Sequence, residues 1–158
     1  MTSFLGEFDC KLDAKGRMML PMGIRKQVHP DAAEKFVVNR GFESCLALYP
    51  LNEWNKISAE INQLNQFVKK NREFARYFYR GATELELDAT GRLLLPKRLM
   101  EYAGIEKEVI LSAWSNKIEI WAPEKFEALL KDEPDDFSAL AEEVMGKINR
   151  SDNGGAVS

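Results

Sequence analysis

The segment "DAKGRMMLP", Asp13–Pro21, returns as "DATGRLLLP", Asp88–Pro96. A single offset of 75 residues relates Asp13 to Asp88, Ala14 to Ala89, Gly16 to Gly91, Arg17 to Arg92, Leu20 to Leu95 and Pro21 to Pro96. Identities held in one register indicate an internal duplication, so the chain must fold as two related units. Within 158 residues, two half-sized units of four strands each do not readily bury both faces of their sheets alone. Interlocking them around a shared core resolves the difficulty and relates the two motifs by a pseudo-twofold axis.

The order of elements supports the duplication. In the first unit "FLGEFDCKLD" reads as a strand, and Asp13–Gly16 as a tight connection. There Gly16 supplies a positive φ and Asp13 accepts hydrogen bonds from turn amides. Arg17–Leu20 makes a short second strand, and Pro21 opens a helix to about Val28. "KFVVNR" and "CLALYP" are strands around the Gly41–Ser44 turn. A helix from Leu51 carries Trp54, Ile57, Ile61, Leu64 and Val68 on one apolar face, extended by Phe67, Phe74 and Phe78, with a break near Asn71. The second unit repeats the order with "ATELELD", the Asp88–Gly91 turn, the Arg92–Leu95 strand, a helix from Pro96 to a C-cap at Gly104, "EVILSAW", "KIEIWA" and "PEKFEALL". These readings divide the chain into a first repeat over 5–64, a helical linker over 65–81, a second repeat over 82–130 and an acidic tail over 131–158. The tail is expected to be helical through Phe137, Leu140, Val144 and Ile148 and disordered over 151–158.

Composition narrows the class. A hydrophobic fraction of 45% and a charged fraction of 30% describe a globular protein. No apolar run approaches the roughly 20 residues needed to span a bilayer, the opening residues lack the pattern of a secretory signal, and Cys10 and Cys45 make no disulfide framework. A cytoplasmic location is the expectation. The net charge of −3 conceals a local pattern. Residues 9–26 set Lys11, Lys15, Arg17, Arg25 and Lys26 against Asp9 and Asp13, a balance of +3, whereas residues 131–158 carry −4. Exposed charges are screened beyond about 8–10 Å, so an acidic total is compatible with a basic binding face.

Turn geometry accounts for Asp13, Gly16, Asp88 and Gly91 as the residues that shape the motif, but not for the arginines. The planar fork of Arg17 or Arg92 suits phosphates and guanine edges, and a carboxylate four residues earlier can hold it by a bidentate contact. For a single motif, a structural Asp–Arg clasp closing a hairpin is the plainer reading. Its recurrence beside Lys11 and Lys15 in the first copy, and Lys97 and Arg98 in the second, favours contact with nucleic acid.

Other residues carry blander readings. His29, the single histidine, reads as a surface residue. No His/Cys cluster has zinc spacing and no Gly-rich phosphate loop appears. Asp13 and Asp88 as paired catalytic acids are disfavoured by their arginines. No enzyme activity, cofactor, metal, membrane or small-molecule substrate is expected. Trp54, Trp114 and Trp121 read as core or subunit interface, Cys10 and Cys45 as partly buried thiols, and the Lys69, Lys70, Arg72, Arg76, Arg80 run as a solvated helix face, with a second DNA contact or a subunit contact as alternatives.

The paired motifs, the opening "GEFDCKLDAKGRMMLP" and the linker "FARYFYRGA" together resemble the MraZ family over about Leu5–Leu130. The resemblance implies an α+β fold, a duplicated swapped-hairpin β-barrel of AbrB/SpoVT type, with short helices and a C-terminal helical tail. It also implies a DNA-binding transcriptional regulator that assembles as a ring. Such a repressor would bind direct repeats in double-stranded DNA upstream of its own cell-division and cell-wall operon, in association with the nucleoid. On that resemblance Arg17 and Arg92 would touch DNA while Asp13 and Asp88 orient them. Lys11, Lys15 and Arg25 would hold phosphates. Thr90 stands where the first copy has Lys15, so the first surface is expected to be the stronger electrostatic contact. The alternative reading is an AbrB-like module of antitoxin type whose tail engages a protein partner.

Overall fold

A computed structural model describes residues 3–147 with their side chains and follows the backbone of the last helix to Val157. The expectation of disorder over 151–158, and the place of Ile148 on an apolar stripe, lie outside the described residues. The first half contains β1 (Phe4–Lys11), β2 (Arg17–Met19), α1 (Met22–Arg25), β3 (Lys35–Arg40), β4 (Leu46–Pro50) and α2 (Leu51–Asn62). After α3 (Lys69–Tyr79), the same order returns as β5 (Thr83–Glu86), β6 (Arg92–Leu94), α4 (Lys97–Ala103), β7 (Glu108–Ser115), β8 (Lys117–Trp121) and α5 (Pro123–Lys131), followed by α6 (Phe137–Val157). Pro21 and Pro96 stand immediately before α1 and α4, where a missing N–H leaves no helical bond unmade. Gly104, at φ +67°, closes α4 in the left-handed conformation.

The fold is mixed α+β, with an antiparallel six-stranded sheet in the order β1-β7-β8-β4-β3-β5 and a separate two-stranded ribbon of β2 and β6. The strands are exchanged between repeats. β1 pairs with β7 from Phe4↔Ser115 to Lys11↔Glu108, and β5 pairs with β3 from Thr83↔Val38 to Glu86↔Lys35. Interchanging the repeats maps these two pairings onto each other. The same operation maps β4·β8, centred on Ala47↔Glu119, and β2·β6, centred on Met18↔Leu93, each onto itself. The pseudo-twofold relation anticipated from the 75-residue offset is therefore present in the strand pairing.

The core is common to both repeats. Met18, Leu20, Ile24, Phe36, Leu46 and Leu48 from the first pack with Leu93, Val109, Leu111, Ile118 and Ile120 from the second, all nearly or wholly removed from solvent. A smaller cluster seats α2 and α3 on the sheet. In it, Trp54 stacks on Phe78 at 5.6 Å and meets Val37, Ala47 and Tyr49.

Several expectations require correction. The sheet does not close into a barrel: among the described residues β1 and β5 are its edges. Just past β1, the Leu12↔Met18 bridge joins the chain to the ribbon. β2 and β6 are three residues long and run into Pro21 and Pro96, which leaves little ladder for closure. α1 stops at Arg25 rather than near Val28. The following bonds tighten to Gln27 N–H onto Ile24 O and Val28 N–H onto Arg25 O, and Pro30 biases His29 away from helix. The long helix breaks over 63–68, ahead of Asn71, because the Asn65 side chain accepts from the Phe67 N–H at 3.0 Å and turns the chain locally. Phe78 is packed but Phe67 and Phe74 are exposed, so the apolar stripe does not continue unbroken. Trp54 and Trp121 are buried, whereas half of the Trp114 surface is open and its ring lies under Lys117 Nζ at 3.9 Å.

Contacts divide the chain into Met1–Phe126 and Glu127–Ser158. In the second unit, the apolar side chains Phe137, Leu140, Val144 and Met145 of α6 face solvent. No described helix is long and apolar enough to cross a membrane.

The ribbon gives a direct test of the packing. Leu93→Ala, which empties a fully buried position, should lower the unfolding free energy by roughly 2–5 kcal/mol. Leu94→Ala, on the open face of the same strand, should change it by less than about 0.5 kcal/mol. Urea unfolding followed by tryptophan fluorescence measures both.

Candidate functional site

Both motifs fold into the same hydrogen-bonded turn. Gly16 N–H donates to Asp13 O and Gly91 N–H to Asp88 O, each at 3.0 Å, with φ of +86° at Gly16 and +83° at Gly91. These values fall where a side chain is strained, so the glycines follow from the turn. The carboxylate binds the loop from inside. Asp13 Oδ1 accepts from the N–H groups of Lys15 at 2.9 Å and Arg17 at 2.8 Å. Asp88 Oδ1 accepts from Thr90 and Arg92 N–H, both at 2.9 Å, and from the Thr90 hydroxyl at 2.9 Å. The second oxygen holds the arginine: Arg17 Nε donates to Asp13 Oδ2 at 2.6 Å, and Arg92 Nε to Asp88 Oδ2 at 2.9 Å.

This clasp differs from the anticipated bidentate grip. The carboxylate divides itself between backbone amides and one guanidinium nitrogen, so only Nε of Arg17 is engaged among the described residues. The terminal Nη pair, the end of the fork that meets a guanine edge, is left available. The two motifs also touch. Arg92 Nη1 lies 3.6 Å from Asp13 Oδ2, so one carboxylate oxygen is flanked by both guanidiniums. Each arginine side chain is 31% exposed, which places the forks at the surface with their bases anchored.

The ribbon fixes where they point. Arg17 is opposite Leu94 and Met19 opposite Arg92, on either side of the buried Met18↔Leu93 pair. Side chains alternate across a strand, so Arg17, Met19, Arg92 and Leu94 share the outer face. Period-two alternation makes Met19 and Leu94 readable from the motif, but attention to charge passes over them.

The supporting cations are distributed unlike their sequence order. Lys11 and Lys15 are exposed at the end of β1 and on the first turn, and Lys97 and Arg98 are exposed on α4. Arg25, grouped by sequence with the first motif, lies over the second: a Cβ on Gly91 would fall 2.6 Å from Arg25 Nη1. Its counterpart by the 75-residue offset, Met100, covers Gly16 in the same way, with Sδ 3.3 Å from the corresponding position. Strand exchange carries each short helix to the other repeat's turn. The charge ascribed to one surface is therefore shared, with Lys15 at the first turn and Arg25 at the second. Arg25 is also tempered by Glu34 at 3.5 Å.

His29 is exposed and its Nδ1 accepts from the Asp31 N–H at 3.1 Å, a local turn contact. Cys10 is partly buried and Cys45 fully buried, both as free thiols. Glu43, Cys45 and Glu119 bring possible ligand atoms within 4.8 Å of one another. Burial, helped by Glu119 and Glu43, pushes the Cys45 thiol up to about 12.

Comparison with known proteins agrees with the duplicated site. Residues 3–77 and 78–147 each match the family described as "MraZ protein, putative antitoxin-like". The chain belongs to the MraZ family. Among curated members, "Transcriptional regulator MraZ" of Christiangramia forsetii is 49% identical over 147 residues, covering 92% of this chain and 95% of the relative. The proteins of the same name from Flavobacterium psychrophilum and Cytophaga hutchinsonii are 45% and 43% identical, covering 98% and 95% of this chain and 99% of each relative.

In this MraZ-family chain the clasp makes the site acid-sensitive. The Arg17 N–H, with the side-chain and Lys15 contacts, holds the Asp13 carboxyl below its ordinary 3.8, against partial desolvation. The Arg92 N–H does the same for Asp88, with help from Thr90. A depressed folded-state pKa contributes stability that is present above the unfolded value and is lost as pH falls through the folded one. The stability advantage of the native protein over Asp88→Asn should therefore be constant from neutrality to about pH 5 and shrink progressively below it. Urea midpoints for both proteins across that range measure the effect.

Proposed function

We propose that this protein is a DNA-binding transcriptional regulator, acting as a repressor through occupancy of promoter DNA and without catalysis. The observation that carries the reading is the ribbon, which presents Arg17 and Arg92 together on one outward face, each anchored through Nε. A two-stranded ribbon fits the major groove, and an arginine fork fits the N7 and O6 acceptors of guanine. Lys11, Lys15 and Arg25, with Lys97 and Arg98, supply phosphate contacts that position the ribbon and make binding salt-dependent. The names of the curated relatives support the same class of function.

One fork gives roughly 1–3 kcal/mol of base discrimination, too little to single out a promoter. We assign the remainder to repetition. Several copies in a ring bind direct repeats upstream of the protein's own cell-division and cell-wall operon, and effective concentration multiplies the individual contacts. The exchanged strands are read as a swapped-hairpin arrangement of AbrB/SpoVT type, with repeats over 5–64 and 82–130, a linker over 65–81 and a tail over 131–158. Action is placed in the cytoplasm, at the nucleoid. A second reading, a tail that engages a protein partner in the manner of an antitoxin, is favoured by the solvent-facing Phe137, Leu140, Val144 and Met145 of α6.

Arg17→Ala and Arg92→Ala should each weaken binding to the DNA upstream of this gene by about tenfold or more, within the range for a bidentate base contact, while leaving the urea midpoint near that of the native protein. Fluorescence anisotropy at fixed salt provides the measurement. Unchanged affinity in both variants would remove the reading surface.

A further inference from the structure

Met19 and Leu94 are half exposed, at 50% and 54%, and share the outer face of the ribbon with Arg17 and Arg92. They contribute little to the core, which the ribbon meets through Met18 and Leu93. The 75-residue offset makes them counterparts, so an apolar side chain occupies this outward position in both repeats. Each is also directly opposite an arginine, Leu94 across from Arg17 and Met19 across from Arg92. Opposed residues on one face of an antiparallel pair have Cβ atoms about 4.5–5.5 Å apart, and successive bases along a strand are about 3.4 Å apart. A fork at one base and an apolar contact at its neighbour are therefore within reach of the same pair.

We infer that Met19 and Leu94 are specificity residues that recognise the C5-methyl group of thymine beside the guanine met by the partner arginine. The inference rests on the DNA-reading role given to the ribbon above. In the major groove, thymine alone among the four unmodified bases presents a methyl group, and apolar side chains are its natural contacts. Phosphate binding gives no reason for a thioether and a branched aliphatic chain at these two positions; a methyl-bearing base edge does. The pseudo-twofold centre at Met18↔Leu93 places the two guanidinium–apolar pairs in inverted relation within one chain. Each chain's footprint then contains two such guanine–thymine elements.

The test uses the full chain and duplexes that it enriches from a random DNA pool. These are resynthesised with uracil in place of each thymine, which deletes the methyl and keeps the pairing. Replacing a contacted thymine should weaken the native protein about fourfold, the value of one buried methyl group. Met19→Ser and Leu94→Ser should each lose the discrimination at one of the two positions and bind thymine and uracil duplexes alike there. Equal binding of thymine and uracil duplexes by the native protein, or enriched sequences without thymine next to guanine, would overturn the inference while leaving the arginine reading intact. Persistence of the discrimination in both serine variants would overturn it as well. Enrichment of no sequence, or full binding by Arg17→Ala and Arg92→Ala, would instead defeat the DNA-reading role itself.

Discussion

Each repeat lends its first strand to the other, β1 lying along β7 and β5 along β3. Neither half presents a sheet that is complete without the other, and the apolar residues of both fill one core. Backbone pairing supplies the register, while burial of Met18, Leu93, Ile118 and their neighbours supplies the driving force. Because β2 and β6 meet at the pseudo-twofold centre, the exchange also brings two distant copies of the same motif side by side. The surface proposed to read DNA is a product of the interlocking and does not exist in a single repeat.

On that base the turn performs a second task. A β-turn needs its glycine for a positive φ, and its aspartate is needed to satisfy loop amides. Here the same aspartate also holds Nε of an arginine. The carboxylate thus joins backbone order to side-chain order. A fork restrained at its base loses less conformational entropy on binding than a free one, and each arginine side chain remains 31% exposed. The shared contact of Arg17 and Arg92 with Asp13 Oδ2 ties the two forks together, so their separation is set by the protein before any ligand arrives.

Much of this was legible in the sequence. The 75-residue offset carried the duplication, the pseudo-twofold relation and the identity of the clasp residues, because exact spacing survives translation into geometry. Alternation and turn residues located the strands to within a residue or two. What the sequence obscured depended on exchange between repeats. Arg25 looks like part of the first motif, since it is eight residues from Arg17, yet strand exchange delivers it to Gly91 of the second. The break after Asn62 rests on a local Asn65 turn that apolar periodicity does not register. Closure of the sheet was not legible either: β2 and β6 form a separate ribbon of three residues each. Trp114 illustrates the reverse limit: an aromatic residue in an alternating strand reads as core, but its register on β7 places it opposite Leu5 on an open face.

The proposed function requires two guanidinium forks to reach guanine edges from a single ribbon. Methylation of guanine N7 in the major groove blocks that approach directly. Binding of the native protein to duplexes methylated at one guanine at a time would locate the contacts. Two interfering guanines are expected within each chain's footprint, one lost from the pattern in Arg17→Ala and the other in Arg92→Ala. Interference at neither, with affinity governed by salt alone, would contradict the proposed function.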